Sequence, residues 1–513
     1  MKNFFHFAVG FGLSLLSFST EARLLKIIHT NDLHSYFTGY LDGRGGYARV
    51  KTKIDELKKE AGMQGISVLH LDGGDFGEGT SFFFSEEGVA SVRTIGMLGT
   101  DVSVIGNHDH MMGGKTLGHQ IRTAHIKTKF ISSNIVQTPE MELADVVKPY
   151  VDFTKGGIKI RVIGLSTPEA HFQYPLKPGF ILPANPVGVL QSNLARKEGK
   201  ELVIALTHLG KSADEKLAKG SKEIDVIVGG HSHTRLDKVV YVKNKKGRQV
   251  PIVQAASHGL VVGELLIDLQ DDGKIKVVKY KLHDIKDPIV QDPGMKMFVE
   301  RAYGDRNEYF GGRWNDIIGY SSIPLTGYVD GNAVQKSSCW GRHMAKLTRK
   351  SSDTHIGIHL ASFEGVYKEP GPVTFGDMID NFPHIRNYGD NGWQISKINM
   401  KGLIFKNLIR AFINIKDVAG INFDGVTYNS IILPKFIPFI GGKIWAFNIK
   451  VNGAKVNYEA SYSMSFPTEV GHALRTSLPA VTQAIFPSLE DTGIYYWDVM
   501  EDYIKKNSPL KCL

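Results

Sequence analysis

The chain has 513 residues, of which 42% are hydrophobic and 22% are charged. This composition excludes a disordered or fibrous protein, and the length exceeds that of one ordinary domain, so we expect two domains. The formal net charge of +9 comes from scattered basic residues that form no long block. The charge therefore favours a solvated surface that attracts small anions, and not a groove for a nucleic-acid polymer.

The first 22 residues have the pattern of a secretion signal. Lys2 precedes an apolar run from Phe4 to Phe18, and Thr20-Glu21-Ala22 offers small residues at both positions that signal peptidase reads. The run is shorter than the roughly 20 residues that a membrane-spanning helix needs. We predict a cleaved signal peptide over residues 1–22 and a periplasmic or secreted protein without stable membrane insertion.

Residues 24–270 alternate between apolar runs rich in β-branched residues and amphipathic stretches, which predicts a layered α/β domain. The predicted strands are Leu24–His29, Ile66–Leu71, Val102–Ile105, Ile158–Leu165, Leu202–Leu206 and Ile224–Val228, and the predicted helices are Gly46–Lys59, Glu87–Leu98 and Asp214–Lys219. An Asp-Asp-Gly turn joins Val261–Leu269 to Lys274–Leu282 and predicts a closing hairpin.

Ligand-type side chains follow five of the apolar strands at the point where each strand ends. Because the carboxyl ends of parallel strands meet at one edge of an α/β sheet, we expect these side chains to lie together. Each motif alone is a weak signal, and the five in order are a strong one. The side chains are those of Asp32, His34, Asp72, Asp75, Asn107, His108, Asp109, His208, His231 and His233.

This set contains carboxylate, amide and imidazole groups and no thiolate, which suits zinc, manganese or iron without choosing among them. Two such ions about 3.5–4 Å apart clamp the attacking and leaving oxygens of a phosphoryl displacement, and they generate a hydroxide nucleophile near neutral pH. A pair needs a bridging carboxylate, for which we choose Asp75. The alternative is that these residues are hydrogen-bonded turn residues. His29, His70, His110, His119 and His258 are interpreted as structural or as neighbours of the ligands.

The order and spacing of seven motifs resemble those of the calcineurin-like metallophosphoesterases, and in particular the bacterial periplasmic 5′-nucleotidase family. The motifs are HTNDLHSYF, GGYARV, LDGGDF, GNHD, THLG, GGHSHT and PIVQAASHG. The resemblance is strong over about residues 24–285. It implies a four-layer α/β/β/α metallophosphoesterase domain over residues 23–285.

The resemblance also implies a role for each candidate residue. His108 is expected to stabilise charge on the transferred phosphoryl group or to protonate the leaving oxygen, because the unperturbed pKa of histidine lies near working pH. Asp32, His34 and His233 look like ligands of one metal ion, Asn107, His208 and His231 look like ligands of the other, and Asp75 looks like the bridge.

One position beside His108 departs from the family pattern. The family usually reads GNHEFD, in which the last acid orients the catalytic histidine, whereas this chain reads GNHDHM and has Met111 there. Asp109 is the candidate substitute, although its place next to His108 in sequence leaves the geometry open. We expect lowered turnover, and we expect a Met111→Asp variant to gain activity.

Residues 286–315 are polar, begin with two prolines and end near Gly311-Gly312, which predicts a linker containing the helix Met295–Tyr303. Residues 316–513 predict a smaller α+β domain. Segments such as IIGYSSIPLTG and GPVTFGDM resemble, more faintly, the 5′-nucleotidase carboxy-terminal substrate-binding domain. Its predicted elements are the strands Gln394–Met400, Trp445–Val451 and Tyr462–Ser465, and the helices Cys339–Thr348, Gly402–Ile413 and Tyr495–Lys505.

The nucleotide-recognition signature of that domain is mostly missing. The family usually shows an Asn-Gly-Gly-Gly-X-Arg run, whose arginine would clamp a substrate anion, whereas Ile358–Gly365 has neither the glycine run nor the arginine. The later Gly-Gly-Asp-Gly is replaced by Phe466–His472. The residues that could stack on a base, or that are core aromatics in the alternative interpretation, are Phe363, Phe423, Tyr428 and Phe466.

Three functions stay open on these grounds. The first is a 5′-nucleotidase-like hydrolase that releases phosphate from nucleotides by attack of a metal-bound hydroxide. The second keeps the fold and metals but takes another small-molecule substrate, either a different phosphomonoester or a thiosulfohydrolase-like one. The third is a catalytically weakened nucleotide-binding protein. Pairing of Cys339 with Cys512 is compatible with export, and neither it nor the oligomeric state follows from the sequence.

Overall fold

The computed structural model describes residues 22–168, 199–327, 337–433, 444–477 and 488–513. Residues 1–21 of the predicted signal peptide lie outside the described residues. Across the described ranges, no helix combines the length and the apolar character needed to cross a membrane.

Thirteen strands and four helices of the described chain build the amino-terminal domain. The strands are β1 (Leu24–Thr30), β2 (Ser67–Asp72), β3 (Val102–Val104), β4 (Lys129–Ile131), β5 (Val147–Lys148), β6 (Tyr150–Lys155), β7 (Ile158–Ser166), β8 (Leu202–His208), β9 (Val226–Val228), β10 (Val240–Lys243), β11 (Gln249–Val253), β12 (Val261–Leu269) and β13 (Ile275–Asp284). The helices are α1 (Tyr47–Met63), α2 (Val89–Met97), α3 (Gly114–Ala124) and α4 (Lys211–Gly220).

The strands form two sheets that pack face to face. The seven-stranded sheet has the order β13-β12-β1-β2-β3-β4-β5, and the six-stranded sheet has the order β10-β11-β9-β8-β7-β6. Leu25, Leu69 and Ile204 belong to the buried aliphatic layer between the sheets. Helices cover both outer faces, with Ile54 of α1 on one side and Leu217 of α4 on the other. This four-layer α/β/β/α arrangement confirms the predicted fold class.

The continuous apolar runs form strands because both faces of each sheet are covered. Pairing is parallel through β1, β2 and β3 and through β7, β8 and β9, so the carboxyl ends of these strands point the same way within each sheet. The antiparallel pairing of β12 with β13 confirms the predicted hairpin.

The helix predicted between the domains is longer than expected and packs on the amino-terminal domain. This helix, α5 (Pro293–Tyr309), begins where the Asp292 side chain accepts a hydrogen bond from the backbone N–H of Met295 at 2.7 Å. Met295 and Phe298 are buried in the same apolar cluster as α1. Trp314, shortly after α5, is buried in the cluster of the following domain.

The carboxy-terminal domain is α+β, as predicted. Its described strands form a five-stranded sheet of order β18-β15-β22-β17-β23 and two smaller sheets, β14-β16 and β19-β20-β21. The strands are β14 (Ile317–Ser321), β15 (Ile356–Leu360), β16 (Gly371–Thr374), β17 (Gln394–Lys401), β18 (Ile421–Asp424), β19 (Val426–Ile432), β20 (Ile444–Val451), β21 (Ala454–Lys455), β22 (Ser461–Pro467) and β23 (Glu490–Tyr495). The helices are α6 (Cys339–Ser351), α7 (Phe375–Asn381), α8 (Gly402–Ala419), α9 (Thr468–Ser477) and α10 (Tyr496–Lys506).

Cys339 and Cys512 form a disulfide, with their Cα atoms 5.0 Å apart and a sequence separation of 173. The bond ties the end of the chain to the first residue of α6. Leu510 lies in the domain core, and its backbone N–H donates to the carbonyl of Tyr320 at 2.9 Å. The terminal segment is therefore held by covalent, apolar and backbone contacts.

The two domains meet at the loop that follows β2 and at the segment that begins before α3 and includes it. Phe84 and Met111 of the amino-terminal domain are buried in the apolar cluster of the carboxy-terminal domain. The backbone N–H of Ser81 donates to Asp380 at 3.0 Å, and the Gln120 side chain donates to the Tyr388 hydroxyl at 3.1 Å. The second domain therefore contacts a loop that also reaches the candidate site.

Candidate metal centre

Sharp turns at the strand ends project the predicted ligands toward one place. Five of the seven predicted ligands have a left-handed backbone conformation, with φ between 49° and 78°. Such angles cost non-glycine residues of the order of 1 kcal/mol each and are concentrated at functional sites. The five residues are Asp32, His34, Asp75, His231 and His233.

Glycines make room where these turns approach one another. A Cβ atom on Gly106 would lie 2.2 Å from the Asp75 carboxylate, and one on Gly230 would lie 2.5 Å from the carbonyl of Gly73. No side chain fits at either place, so these two glycines let the ligand loops pack together.

The structure brings the predicted ligand atoms within a few ångströms of one another. Asp75 lies centrally, with its Oδ2 atom 2.9 Å from His208 Nε2 and 3.7 Å from His34 Nε2. The other separations are 3.1 Å from His34 Nε2 to His233 Nε2, 3.5 Å from His233 Nε2 to Asp32 Oδ1, 4.0 Å from His208 Nε2 to Asp32 Oδ1, and 3.1 Å from His208 Nε2 to Asn107 Oδ1.

Backbone carbonyls fix the orientation of two of the imidazoles. His34 Nδ1 lies 2.6 Å from the carbonyl oxygen of Glu78, and His208 Nδ1 lies 2.7 Å from that of Gly73. A carbonyl only accepts, so each Nδ1 carries a proton, and each Nε2 faces the cluster, where it offers a lone pair to a cation once it is deprotonated. Metal-binding histidines are held in this way.

Burial and mutual charge leave the site in need of positive charge. Burial raises the pKa of Asp32 to about 8, and the nearby charge of Asp75 adds to this effect against the opposing effect of His208. Burial lowers the pKa of His208, but Asp75 and Asp32 outweigh it and raise that pKa to about 10. A proton on His208 thus supplies charge that a bound cation would otherwise supply.

The residues present fit a pair of divalent cations. Two groups of three residues each have ligand atoms that all lie within 4.8 Å of one another inside the group. Both groups contain Asp75. One group adds His208 and His231, and the other adds His34 and His108. The donors are oxygen and nitrogen atoms, which borderline and hard divalent cations prefer. A shared carboxylate between two ligand groups is the arrangement expected of a dinuclear centre.

Comparison with known proteins supports this geometry. Residues 25–235 match the family model described as calcineurin-like phosphoesterase. This segment belongs to the calcineurin-like phosphoesterase family. All seven predicted ligands lie within it.

Relatives of the whole chain include 5′-nucleotidases. The chain is 26% identical to a 5′-nucleotidase of Vibrio cholerae over 535 residues, which covers 95% of this chain and 91% of that protein. It is 29% identical to Protein 5NUC of Lutzomyia longipalpis over 359 residues, covering 63% of this chain and 61% of that one. The match therefore spans less than two thirds of the length of 5NUC.

Two solved structures share the fold over both domains. A 5′-nucleotidase precursor from Thermus thermophilus superposes with a TM-score of 0.77 at 23% identity, covering 96% of this chain and 98% of that one. The sulfate thiohydrolase SoxB of Termus thermophilus superposes with a TM-score of 0.68 at 16% identity, covering 95% of each chain. These similarities establish the fold of the phosphoesterase and its carboxy-terminal domain, and leave the substrate open.

Asp109 of the phosphoesterase domain does not have the role predicted for it. One oxygen of its carboxylate accepts from the backbone N–H groups of Asp75 at 3.0 Å and Gly106 at 2.7 Å, and the other accepts from Gly77 at 2.9 Å. The carboxylate therefore fixes the loops that carry Asp75 and Asn107 instead of orienting His108.

Glu78, which the sequence reasoning missed, makes the contact to the His108 ring. Its Oε2 atom lies 2.5 Å from His108 Nδ1, and its Oε1 atom is hydrogen-bonded to Nδ1 of His384 in the carboxy-terminal domain. Burial lowers the pKa of His108, but Asp75 and Glu78 outweigh it and raise the pKa to about 9. Burial raises the pKa of Glu78, but His384 and His108 hold it well below its usual range.

His258 lies at the rim of the centre. Its ligand atom is within 4.8 Å of those of His34 and His233. The Tyr36 ring stacks on it at 3.8 Å, and the Tyr40 hydroxyl lies 2.5 Å from its Nδ1 atom. These contacts fit the interpretation that His258 is a neighbour of the ligands.

Other histidines named in the sequence lie in the core. His29 and His70 are fully buried on β1 and β2, and burial lowers the pKa of each to about 3, so both are neutral. Burial likewise lowers the pKa of His110 to about 4.

The four aromatic residues predicted to bind substrate do not form one group. Phe466 is fully buried in the core of the five-stranded sheet, which favours the alternative interpretation that it is a core aromatic. Phe423 and Tyr428 pack against that same core. Phe363 belongs to a different cluster, and its carbonyl accepts a hydrogen bond from His384 Nε2 at 2.7 Å.

Arg386, the basic residue nearest in sequence to His384, is paired with an acid. The Nε atom of Arg386 donates to Glu469 at 2.5 Å, and Glu469 is buried. Arg386 therefore does not replace the missing arginine as a free anion clamp.

Proposed function

We propose that the protein is an exported, dinuclear-metal phosphoester hydrolase of the 5′-nucleotidase type, which releases phosphate from nucleotides. The observation that carries the proposal is the pair of ligand groups that share Asp75. Asp32, His34 and His233 would hold one ion, and Asn107, His208 and His231 would hold the other. Zinc, manganese and iron all suit these donors.

The chain's own residues prepare the site for phosphoryl transfer. Two bound divalent cations would supply charge neutralisation and a lowered water pKa. The carbonyls of Gly73 and Glu78 keep the Nε2 atoms of His208 and His34 directed inward. The His108 ring lies 4.7 Å from the His34 ring and is the candidate proton donor to the leaving oxygen.

The nucleotide assignment rests on the long match to the Vibrio cholerae 5′-nucleotidase. The buried Phe466 and the absence of the expected arginine from Ile358–Gly365 favour the second candidate, the same chemistry on a non-nucleotide substrate. The fold is shared with a sulfate thiohydrolase, so it does not decide between them.

Export is supported by two independent features. The amino-terminal segment has the composition of a signal peptide. The Cys339–Cys512 disulfide is of a kind that persists in oxidising compartments. Sequencing of the mature amino terminus from expressing cells should give Arg23 as the first residue, and an intact Met1 in the cytoplasmic fraction would contradict export.

The decisive experiment combines metal analysis with a substrate panel. Purified protein loaded with manganese or zinc should bind two ions per chain and hydrolyse AMP and other nucleoside monophosphates faster than sugar phosphates or an S-sulfonate. Faster turnover of a non-nucleotide ester would favour the second candidate. A metal-loaded protein that binds AMP and hydrolyses nothing would favour a weakened binding protein.

An Asp75→Asn variant tests the role of Asp75 as the shared ligand. Loss of residues that merely support a metal ligand already costs about 10–100-fold, so loss of the shared carboxylate should lower kcat/KM by more than about 100-fold. Isothermal titration should show fewer than two ions bound. Retention of both ions and of full activity would contradict the dinuclear assignment.

A further inference from the structure

Glu78 lies between two imidazoles that belong to different domains. One carboxylate oxygen contacts His108 beside the metal centre, and the other contacts His384 in the loop that follows α7. The Glu78 side chain is only 2% exposed. A carboxylate buried this deeply is costly unless its charge and its lone pairs have partners, and the two rings supply them.

The carboxy-terminal domain fixes the position of His384. Its ring stacks on Trp393 at 4.4 Å and meets Phe382 edge-on at 4.9 Å. Its Nε2 atom donates to the carbonyl of Phe363 at 2.7 Å, which directs Nδ1 toward Glu78. Trp393 and Phe382 are fully buried, so the second domain presents His384 in a defined orientation.

The other two positions that could orient His108 are unsuited to that role. The Asp109 carboxylate accepts three backbone hydrogen bonds. Met111 has no acceptor oxygen and is buried among apolar side chains. Glu78 approaches from a different loop, three residues after Asp75, and reaches the ring nitrogen directly.

We propose that Glu78 is the positioning residue for His108 and that His384, supplied by the second domain, holds Glu78 in place. This proposal rests on the proposed function, because it gives His108 the task of protonating the leaving group. Since the contact crosses between domains, His108 is correctly oriented only while the carboxy-terminal domain is docked on the loop after β2.

Two substitutions at Glu78 separate positioning from mere packing. Glu78→Gln keeps an acceptor for His108 and turns the contact with His384 into one in which the glutamine amide donates to Nδ1 of the neutral ring, whereas Glu78→Leu removes both contacts. The leucine variant should lower kcat for AMP by at least about 100-fold, which is the usual contribution of a positioned acid or base. The glutamine variant should stay within about 10-fold of wild type, since it loses only the charge from the hydrogen bond. KM and the two bound metal ions should be unchanged in both.

The dependence on leaving group distinguishes positioning from a structural role. The Glu78→Leu loss should be large for AMP and small for p-nitrophenyl phosphate, because nitrophenolate departs without a proton. His384→Leu should show the same pattern to a smaller extent, and the double variant should be no worse than Glu78→Leu alone, as expected of residues acting in series. Tyr388→Phe, which removes a different interdomain hydrogen bond, should leave both rates unchanged.

Several outcomes would overturn the proposal. They are equal losses for both esters in Glu78→Leu, equal activities of the leucine and glutamine variants, or a comparable loss in Tyr388→Phe. If the metal-loaded wild type is inactive on the whole panel, the proposed function fails. In that case the orientation of the His108 ring, compared between crystal structures of Glu78→Leu and Glu78→Gln, tests the positioning role without an activity assay. The same ring orientation in both variants would refute the proposal. Should the leucine variant not fold, His384→Leu provides the same comparison.

Discussion

Met111 stands where the resemblance places an orienting acid, and its surroundings are apolar. The side chain is 6% exposed and lies in a cluster with Phe84 and Trp497. Because Glu78 already contacts the His108 ring, a carboxylate at position 111 is not needed to orient that ring. The gain of activity expected from the sequence for Met111→Asp is therefore withdrawn.

Met111→Asp should instead destabilise the protein and leave kcat no higher than in wild type. Burying an unpaired acid in this cluster should lower the free energy of unfolding by about 3 kcal/mol. Met111→Leu, which conserves volume, should cost less than about 1.5 kcal/mol. Denaturant unfolding would measure the stability of both variants, and phosphatase assays would measure their kcat. A higher kcat in Met111→Asp would indicate that an acid at position 111 does orient His108.

At this scale the sequence indicated the ligands but not their supports. Asp32, Asp75 and His231 could be found because each follows an apolar strand, so one local pattern both places and identifies them. Glu78 lies in a Gly-Glu-Gly turn that resembles any surface loop, and its partner His384 is 306 residues away. The available signal was an acid close to the Asp75 motif in a chain that lacks the usual one.

Among the elements, β1 and β12 are joined by a buried ion pair. Lys26 Nζ lies 2.8 Å from Glu264, which also contacts Lys279 at 2.8 Å and His283 at 3.0 Å. Lys26 is 4% exposed and Glu264 is 1% exposed. Burial raises the pKa of Glu264, but hydrogen bonds from His283, Lys26 and Lys279 outweigh it and hold the pKa well below its usual range.

Glu264→Gln should lower the free energy of unfolding at pH 7 by about 3 kcal/mol, because it leaves Lys26 buried without its carboxylate. The folded pKa is below the unfolded one, so the stabilisation is present above about pH 4.3 and is lost as the pH falls. Urea unfolding between pH 3 and 7 should therefore show a weaker acid dependence in the variant. Asp272→Asn, an exposed acid in the β12–β13 turn, should change little, and an equal effect there would argue against the buried pair.

Strand positions were predictable because both sheets are covered and their strands read as continuous apolar runs. The helix α5 was predicted shorter than it is, since its polar residues after Tyr303 resemble a linker. Its final turns carry Arg306, whose guanidinium lies 3.8 Å from the Trp314 ring and 4.2 Å from the Phe82 ring. The contact between Arg306 and Phe82 joins residues far apart in sequence, so it leaves no local pattern.

For the whole molecule, the disulfide is the covalent constraint on the carboxy-terminal domain. Replacing both cysteines with serine should lower the stability of that domain by about 2–5 kcal/mol, because the bond closes a long loop in the unfolded chain. Reductant should have the same effect on wild type and none on the double variant. Equal denaturation midpoints for wild type with and without reductant would contradict a formed, stabilising bond.

The left-handed turns beneath the ligands have a consequence for anyone who would transplant this centre. Copying the seven side chains onto another scaffold would reproduce the ligand groups but not the backbone conformation that orients them. The unfavourable φ angles are sustained by surrounding layers and by glycines that tolerate no Cβ. A working graft would have to carry the bends together with the residues, and any host unable to sustain them would release its ions.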